Sequence, residues 1–201
     1  MTKLLKYVVP FDFGFAPNPY HGICTLAACT PNHQNARLNP EDWILGHSGV
    51  STNNKIIYLM KVDEIIQRND YFNREDFQCK KPNLKSKRLL DRYGDNIYYL
   101  DNGEWYQINT VFHNEKTEPG HLSKDTRNNK VFTGKEFYYF NNEGFELAKL
   151  GFESLIYKGR NYKYEYEEAK IKSLVKFLRK HFDSGIISNS NSQANKLQNK
   201  C

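Results

Sequence analysis

The segment 12–30, DFGFAPNPYHGICTLAACT, contains the densest group of side chains suited to chemistry. Its glycines and prolines exclude one continuous helix or strand. His21, Cys24 and Cys29 could ligate a metal, or Cys24 could be a nucleophile that His21 or His113 activates. Because the spacing includes no CxxC pair and matches no cysteine-enzyme signature, we expect no metal or cofactor and interpret Cys24 as a buried packing thiol.

Several polar side chains could read the edge of a base, since carboxylates, amides and hydroxyls together offer donors and acceptors. The ligand-binding candidates of this kind are Asp12, Asn18, His21, Thr25, His47, Asp95 and Asn96. The candidates for proton transfer or nucleophilic attack are His21, Cys24, Asp95 and His113. An alternative for the acids and amides is turn formation, in which the side chain bonds to nearby backbone, and the alternative for His47 and His113 is a structural role.

Aromatic side chains are candidates for stacking on a base, which contributes about 1–3 kcal/mol per base. The candidates are Trp43, Tyr98, Tyr99, Trp105, Tyr106, Tyr138 and Tyr139. Because side chains alternate along a strand, about half of these should face the core. We expect Trp43, which begins the strand after the loop, to form a pocket wall, and Tyr139 to contribute from a later strand.

A basic segment, KKPNLKSKR, could contact phosphates through Lys80, Lys81, Lys85, Lys87 and Arg88. The alternative is a solvated surface loop. The formal net charge of +6 is a mild bias toward anionic partners and does not by itself indicate nucleic acid. The sequence contains no glycine-rich loop with P-loop or Rossmann spacing, which excludes those two nucleotide-binding motifs.

Short strands must position most of these residues. Alternating apolar and aromatic residues predict strands over 4–9, 43–47, 55–63, 131–133 and 136–140. In the third of these, we expect Ile56, Tyr58, Met60 and Val62 to share one face. Asn102-Gly103 predicts a hairpin turn within 97–108.

Two helices complete the expected fold. Residues 70–77 predict a short helix, and the spacing of Ile171, Leu174, Val175 and Leu178 predicts an amphipathic helix over 164–182. Many short strands with one long helix predict an α+β fold, a small mixed β-barrel with flanking helices and a C-terminal amphipathic helix.

The length of 201 residues fits a single domain, which we expect over 1–183, followed by a disordered polar tail over 184–201. No apolar run approaches the roughly 18 residues of a membrane helix, so we expect no membrane partner. The N-terminus lacks a signal-peptide pattern, and the four cysteines lack the framework of a small secreted protein. We therefore expect a cytoplasmic protein whose cysteines are thiols.

Five segments, in order along the chain, resemble the nucleotide-modification-associated domain 2 family of bacteria and phages. They are DFGFAPNPYHGICTLAACTP (12–31), DWILGHSG (42–49), KIIYLMKVDEIIQRNDYF (55–72), GDNIYY (94–99) and FYYFNNEGFEL (137–147). This resemblance implies base modification or the handling of modified nucleotides. DWILGHSG followed by KIIYLMKVDEI is also similar to the PUA-like group, including EVE, ASCH and YTH domains, which commonly hold a modified base in an aromatic-lined pocket.

Three functions are consistent with these features. The favoured one is a binding module that holds a modified base or nucleotide in an aromatic and polar pocket, with a nucleotide or modified nucleic acid as its partner. The first alternative is an enzyme that modifies or hydrolyses a nucleotide or base with its His, Cys and Asp groups. The second is a phage protein that sequesters a signalling nucleotide.

Overall fold

The computed structural model describes residues 2–28, 33, 35–116 and 119–187, in which short strands alternate with short helices. In chain order the strands are β1 (Leu4–Val8), β2 (Cys24–Leu26), β3 (Trp43–His47), β4 (Ile56–Lys61), β5 (Glu64–Gln67), β6 (Tyr98–Asp101), β7 (Glu104–Gln107), β8 (Lys130–Gly134), β9 (Phe137–Tyr139), β10 (Tyr162–Glu165) and β11 (Gly185–Ile186). The α-helices are α1 (Arg68–Asn73), α2 (Leu89–Arg92), α3 (His121–Asp125) and α4 (Glu168–His181). Short 3₁₀ helices include Tyr20–Gly22 and Glu75–Lys80.

A six-stranded mixed sheet with the strand order β10-β1-β3-β4-β9-β11 is the centre of the fold. β1 is parallel to β3, and β4 is antiparallel to both β3 and β9, so β1, β3 and β9 run in one direction. The C-terminal ends of these three strands therefore lie at the same end of the sheet. A second sheet, β2-β8-β5, and the hairpin β6-β7 complete the β structure of the described chain.

The six-stranded sheet is covered on both faces, because its strands carry apolar or aromatic side chains on both sides. One face, which includes Tyr7, Tyr58 and Tyr139, packs against the second sheet through residues such as Cys24 and Leu26. The hydroxyls of Tyr7 and Tyr58 lie 2.8 Å apart and form a buried hydrogen bond. The opposite face packs against α4. The residues after β1 therefore lie on one side of the sheet and the C-terminal helix on the other.

The predicted amphipathic helix is confirmed as α4. Its apolar residues Ile171, Leu174, Val175 and Leu178 are all buried against the sheet. It begins at Glu168 rather than at residue 164, because Tyr162–Glu165 pairs with β1 as the edge strand β10. Burial of each such side chain stabilises the fold by about 1.5–3 kcal/mol, so packing rather than helix propensity holds α4 in place.

The expected alternation along β4 is wrong at its start. Ile57, Tyr58 and Met60 pack in the core that contains Tyr7, whereas Ile56 packs on the α4 side. The cause is a register shift between β3 and β4, in which Gly46 pairs with Tyr58 and His47 with Ile56. Such a bulge leaves one residue unpaired and reverses the alternation at that point.

The α+β class is confirmed, but the described strands form open sheets instead of a barrel, since β10 and β11 stay apart as edges. The expected tail also begins too early, because Gly185–Ile186 pairs with Tyr138 and Tyr139 as β11. The rest of that expected tail, 188–201, lies outside the described residues. None of the described helices combines the length and apolar character needed to cross a membrane.

Candidate functional site

A fully buried lysine organises the loop that follows β1, residues 11–23. Lys80 ends the 3₁₀ helix Glu75–Lys80, and its side chain is inaccessible to solvent. Its Nζ donates to the backbone oxygen of Asn18 at 3.1 Å, to Oδ1 of Asn18 at 2.8 Å and to the backbone oxygen of Ile23 at 2.6 Å. Burial lowers the pKa of Lys80 to about 8, against the opposing effects of Asp95 and Cys24. The ammonium thus remains mostly charged at neutral pH and joins two points of the loop.

Asp95 is the buried anion of the same cluster. Its Oδ2 accepts from Thr25 Oγ1 at 2.7 Å, and its Oδ1 accepts from the Tyr71 hydroxyl at 2.7 Å. Burial raises the pKa of Asp95, while Lys80 and these two hydroxyls lower it. Both carboxylate oxygens are therefore engaged inside the protein, in a site closed to solvent.

The two amides of the cluster bind backbone. Asn18 Nδ2 donates to the backbone oxygens of Gly14 and Tyr93, and Asn96 Nδ2 donates to those of Tyr71 and Phe77. Asn18 and Asn96 are each 1% exposed. In this structure these two amides, together with Thr25 and Asp95, hold the loop in shape and do not face a ligand. Lys80, a predicted phosphate ligand, is likewise closed to solvent and bonded to groups of the protein itself.

Cys24 lies next to this cluster as a free thiol with no solvent exposure. Burial raises its pKa, which opposes formation of the thiolate that nucleophilic attack requires. Cys29 lies outside the described residues, and no three His, Cys, Asp or Glu side chains of the described chain are placed to hold a metal ion. Cys79 is disulfide-bonded, so the expectation that all four cysteines are thiols is wrong for this residue.

His113 belongs to a second buried network. The Tyr98 hydroxyl donates to Asp125 Oδ2 at 2.8 Å and lies 2.8 Å from His113 Nδ1, which must therefore be the donor to Tyr98. The guanidinium of Arg68 lies 5.2 Å from the Tyr98 ring centroid. Burial lowers the pKa of His113 to about 4, although Asp125 opposes this effect. The histidine is accordingly neutral at physiological pH.

The two candidates on β3 lie on the other face of the sheet. Trp43 packs with α4, away from the 11–23 loop, and lines a separate groove of about 410 Å³. His47 Nε2 accepts from the Tyr157 backbone N–H at 3.0 Å, so its Nδ1–H donates to the Ser48 oxygen at 2.8 Å. Burial lowers the pKa of His47. The structure thus places Trp43 and His47 on the opposite face of the sheet from the 11–23 loop.

Asp12 and Tyr139, by contrast, do come together. Asp12 is 8% exposed, and its Oδ1 accepts from the Gly14 backbone N–H at 3.1 Å. Burial raises the pKa of Asp12, while the Gly14 N–H and the nearby Tyr139 hydroxyl lower it. His21 lies farther along the loop in the turn Tyr20–Gly22, where its backbone is left-handed, with a φ of 62°.

Phenylalanines of the same loop form an exposed surface. Phe11 and Phe13 are 76% and 63% exposed, with parallel rings whose centroids lie 6.5 Å apart. Phe112 continues the row at 6.0 Å from Phe13. We call these three rings the phenylalanine row. Sequence reasoning missed it, although the alternation FDFGF, with Phe15 buried and Phe11 and Phe13 exposed, carries the signal.

Three cations lie in the loop formed by residues 83–88. Lys85, Lys87 and Arg88 are exposed, and none forms an ion pair within the described chain. Asp91 holds this loop, because its backbone oxygen accepts from Asn83 N at 2.6 Å and its Oδ2 accepts from Ser86 Oγ at 2.7 Å. We call residues 83–88 the basic loop.

Tyr93 contacts the phenylalanine row and follows the basic loop in sequence, with α2 between them. Its ring centroid lies 5.2 Å from that of Phe112. Lys81 differs from the other predicted phosphate ligands, since its Nζ lies 3.6 Å from the centroid of Phe72 and it is half-buried. The described chain therefore carries exposed aromatic rings in one segment and exposed cations without an ion pair in another, and together these features suit a flat anionic ligand.

We predict that Lys80→Met lowers the free energy of unfolding by about 3 kcal/mol, because three buried oxygens lose a charged donor. Urea denaturation measures this change, and hydrogen exchange of the amides in 14–25 should become faster. The matched control is Lys85→Met in the basic loop, which should alter stability by less than about 0.5 kcal/mol. Equal stability of the two variants would contradict the assigned role of Lys80.

We predict that His113 makes the protein less stable as the pH falls from about 6.5 to about 4. Its pKa is lower in the folded protein, so within this interval the unfolded chain binds a proton that the folded protein does not. Urea denaturation across this range should show a flatter pH dependence for His113→Gln than for the natural protein. His181→Gln, at an exposed position of α4, is the control and should keep the original slope. Equal slopes for both variants would disprove the assignment.

The comparisons with known proteins agree with the sequence resemblance to one family. No curated protein and no solved structure matches the chain, so the similarity to PUA-like domains stays a prediction. The model of the family described as nucleotide modification associated domain 2 matches residues 1–197, nearly the whole chain. The chain therefore belongs to the nucleotide modification associated domain 2 family.

Proposed function

We propose that this protein binds a nucleobase together with its phosphate, either as a free nucleotide or within a single strand. The family assignment points to a modified base as the physiological ligand. The observation that carries the proposal is the phenylalanine row, whose members Phe11 and Phe13 leave most of their ring surface exposed. Contiguous exposed apolar surface is typical of interaction sites, and a base offers the flat π face that such rings stack on.

The basic loop supports the same ligand class. Lys85, Lys87 and Arg88 are exposed and have no carboxylate partner in the described chain, so they are available to phosphate oxygens. Tyr93, which follows the basic loop after α2, packs on Phe112 of the row, and this contact supports a site that combines charge with stacking surface. A nucleotide requires both features, whereas a purely apolar partner would not need the cations.

Reversible binding is better supported than turnover. Cys24, Asp95 and His113 are each at most 1% exposed, and their polar atoms are engaged with other groups of the protein or have a pKa unsuited to reaction. A catalytic group must reach the reacting atoms. The two remaining functions, capture of a base within a strand and sequestration of a free nucleotide, use the same stacking and phosphate contacts, and the choice of probe separates them.

We predict that Phe13→Ala weakens binding about tenfold, in keeping with the roughly 1–3 kcal/mol that one stacked base contributes. The measurement is fluorescence anisotropy with a labelled single strand of about 12 nucleotides, within the range of site sizes for such surfaces. Unlabelled nucleoside monophosphates compete in a second arm and identify a free-nucleotide ligand. Tyr166→Ala removes an aromatic ring with 57% exposure far along the chain and should leave affinity unchanged. Equal affinities of the two variants would contradict the proposal.

Salt dependence tests the basic loop in the same assay. Replacing Lys85, Lys87 and Arg88 with Gln should reduce the slope of log affinity against log salt by about 2, since each phosphate contact on a single strand contributes about 0.7. An unchanged slope would remove the basic loop from the site while leaving the phenylalanine row in place.

A further inference from the structure

A small cavity lies next to the segment that carries Phe11, at the end of the sheet where the chain leaves β1, β3 and β9. Its volume is about 310 Å³, and its polar lining includes Asp12, Asn53, Lys55 and Asn141. Pro10 and Asp12 both line it, and the exposed ring of Phe11 lies between them in sequence. The cavity is at the lower limit of small-molecule sites, which suits a single heterocycle.

The strand directions explain why the polar residues that line the cavity lie together at this end of the sheet. The strands β1, β3 and β9 run in one direction, so Asp12, Ser48 and Asn141 all follow strand ends at one end of the sheet, with the start of β4 between β3 and β9. Asn53 and Asn141 both have left-handed backbone, with φ of 62° and 53°, a conformation that Asn tolerates. Loops that follow parallel strands are common places for ligand contacts.

The carboxylate of Asp12 has acceptor capacity that the protein does not use. Its Oδ1 accepts from the Gly14 N–H, whereas its Oδ2 is buried and has no hydrogen-bond partner among the described residues. The Tyr139 hydroxyl is near but does not reach hydrogen-bond geometry with this oxygen. A buried oxygen without a donor costs free energy, and a ligand N–H that reaches it would remove that cost.

The remaining lining groups complement such a ligand. Lys55 has no ion pair within the described chain, and the amides of Asn53 and Asn141 can donate or accept. A carboxylate suits an exocyclic amine, while an ammonium or an amide N–H suits a neighbouring ring acceptor. Cytosine presents this pattern of a donor beside acceptors, whereas uracil and thymine place a carbonyl oxygen where the amine would be.

We infer that this cavity receives an amino-bearing base edge, with Asp12 accepting from the exocyclic amine, so that the protein prefers cytosine-like bases to uracil-like bases. This inference rests on the proposed function, since it concerns the base that the phenylalanine row holds. It assigns base selection to Asp12 and stacking to Phe11 and Phe13.

Isothermal titration calorimetry with dCMP and dUMP tests the inference, because the two ligands differ only at this edge, where cytosine has the 4-amine and an acceptor N3 and uracil has the 4-carbonyl and an N3–H. The natural protein should bind dCMP about tenfold more tightly than dUMP. Asp12→Asn should abolish or invert this preference, since the amide keeps an oxygen for the Gly14 N–H and presents its own N–H to the ligand. Asp101→Asn, at an exposed position of the β6-β7 hairpin, should keep the original preference.

The outcomes separate this inference from the proposed function. Equal binding of dCMP and dUMP, still weakened by Phe13→Ala, would overturn base selection and leave stacking intact. Binding of neither nucleotide would overturn the inference, whereas the proposed function would then be decided by the single-strand assay with Phe13→Ala. The ratio of dCMP to dUMP affinity is measured on the natural protein and depends on no variant. Asn141→Gly is a second variant, which removes an amide from the cavity lining without backbone strain. It should weaken dCMP binding several-fold, and an unchanged affinity would exclude this side of the cavity.

Discussion

The buried ammonium of Lys80 is the constraint on which the geometry of the site depends. A charge removed from water must be surrounded by oxygen atoms, and here Asn18 and Ile23 supply them from a loop about 60 positions away in sequence. Those contacts determine where residues 18 and 23 lie. Since Asp95 is buried beside Thr25 in the same cluster, the loop is held at its base by both signs of charge.

The shape of the 11–23 loop then decides which side chains face outward. With its C-terminal half held by Lys80, the alternating residues of its first half separate into two sets. Phe11 and Phe13 face solvent, while Asp12 turns toward the sheet and Tyr139. One segment therefore supplies both the exposed rings and the unused carboxylate oxygen. A loop already ordered in this way loses less conformational entropy on binding than a flexible one.

Periodicity predicted the strands and α4 well because those elements follow from local alternation and from burial of one face. It could not show which face of β3 the loop would cover. Trp43 and His47 share one face of β3, as the alternation predicts. The 11–23 loop lies on the other face because β2, which follows it, pairs with β8 in the second sheet. The burial of Lys80 cannot be predicted from the sequence for a related reason. Within KKPNLKSKR all cations have the same local pattern, and distant carbonyl groups select one of them for burial.

Burial of Lys80 and Asp95 is a poor means of gaining stability, because well-packed apolar residues of similar volume often stabilise a protein equally or better. What such groups provide is a defined position for the chain, because a buried ammonium is stable only where several acceptor oxygens surround it. Apolar packing alone would allow the 11–23 loop to slide, and the rings of Phe11 and Phe13 would lose their common orientation. A stacking surface needs that orientation, because a ring that must first be ordered contributes less to affinity. The cost of the buried charges is therefore best explained by the fixed position that they give to the 11–23 loop.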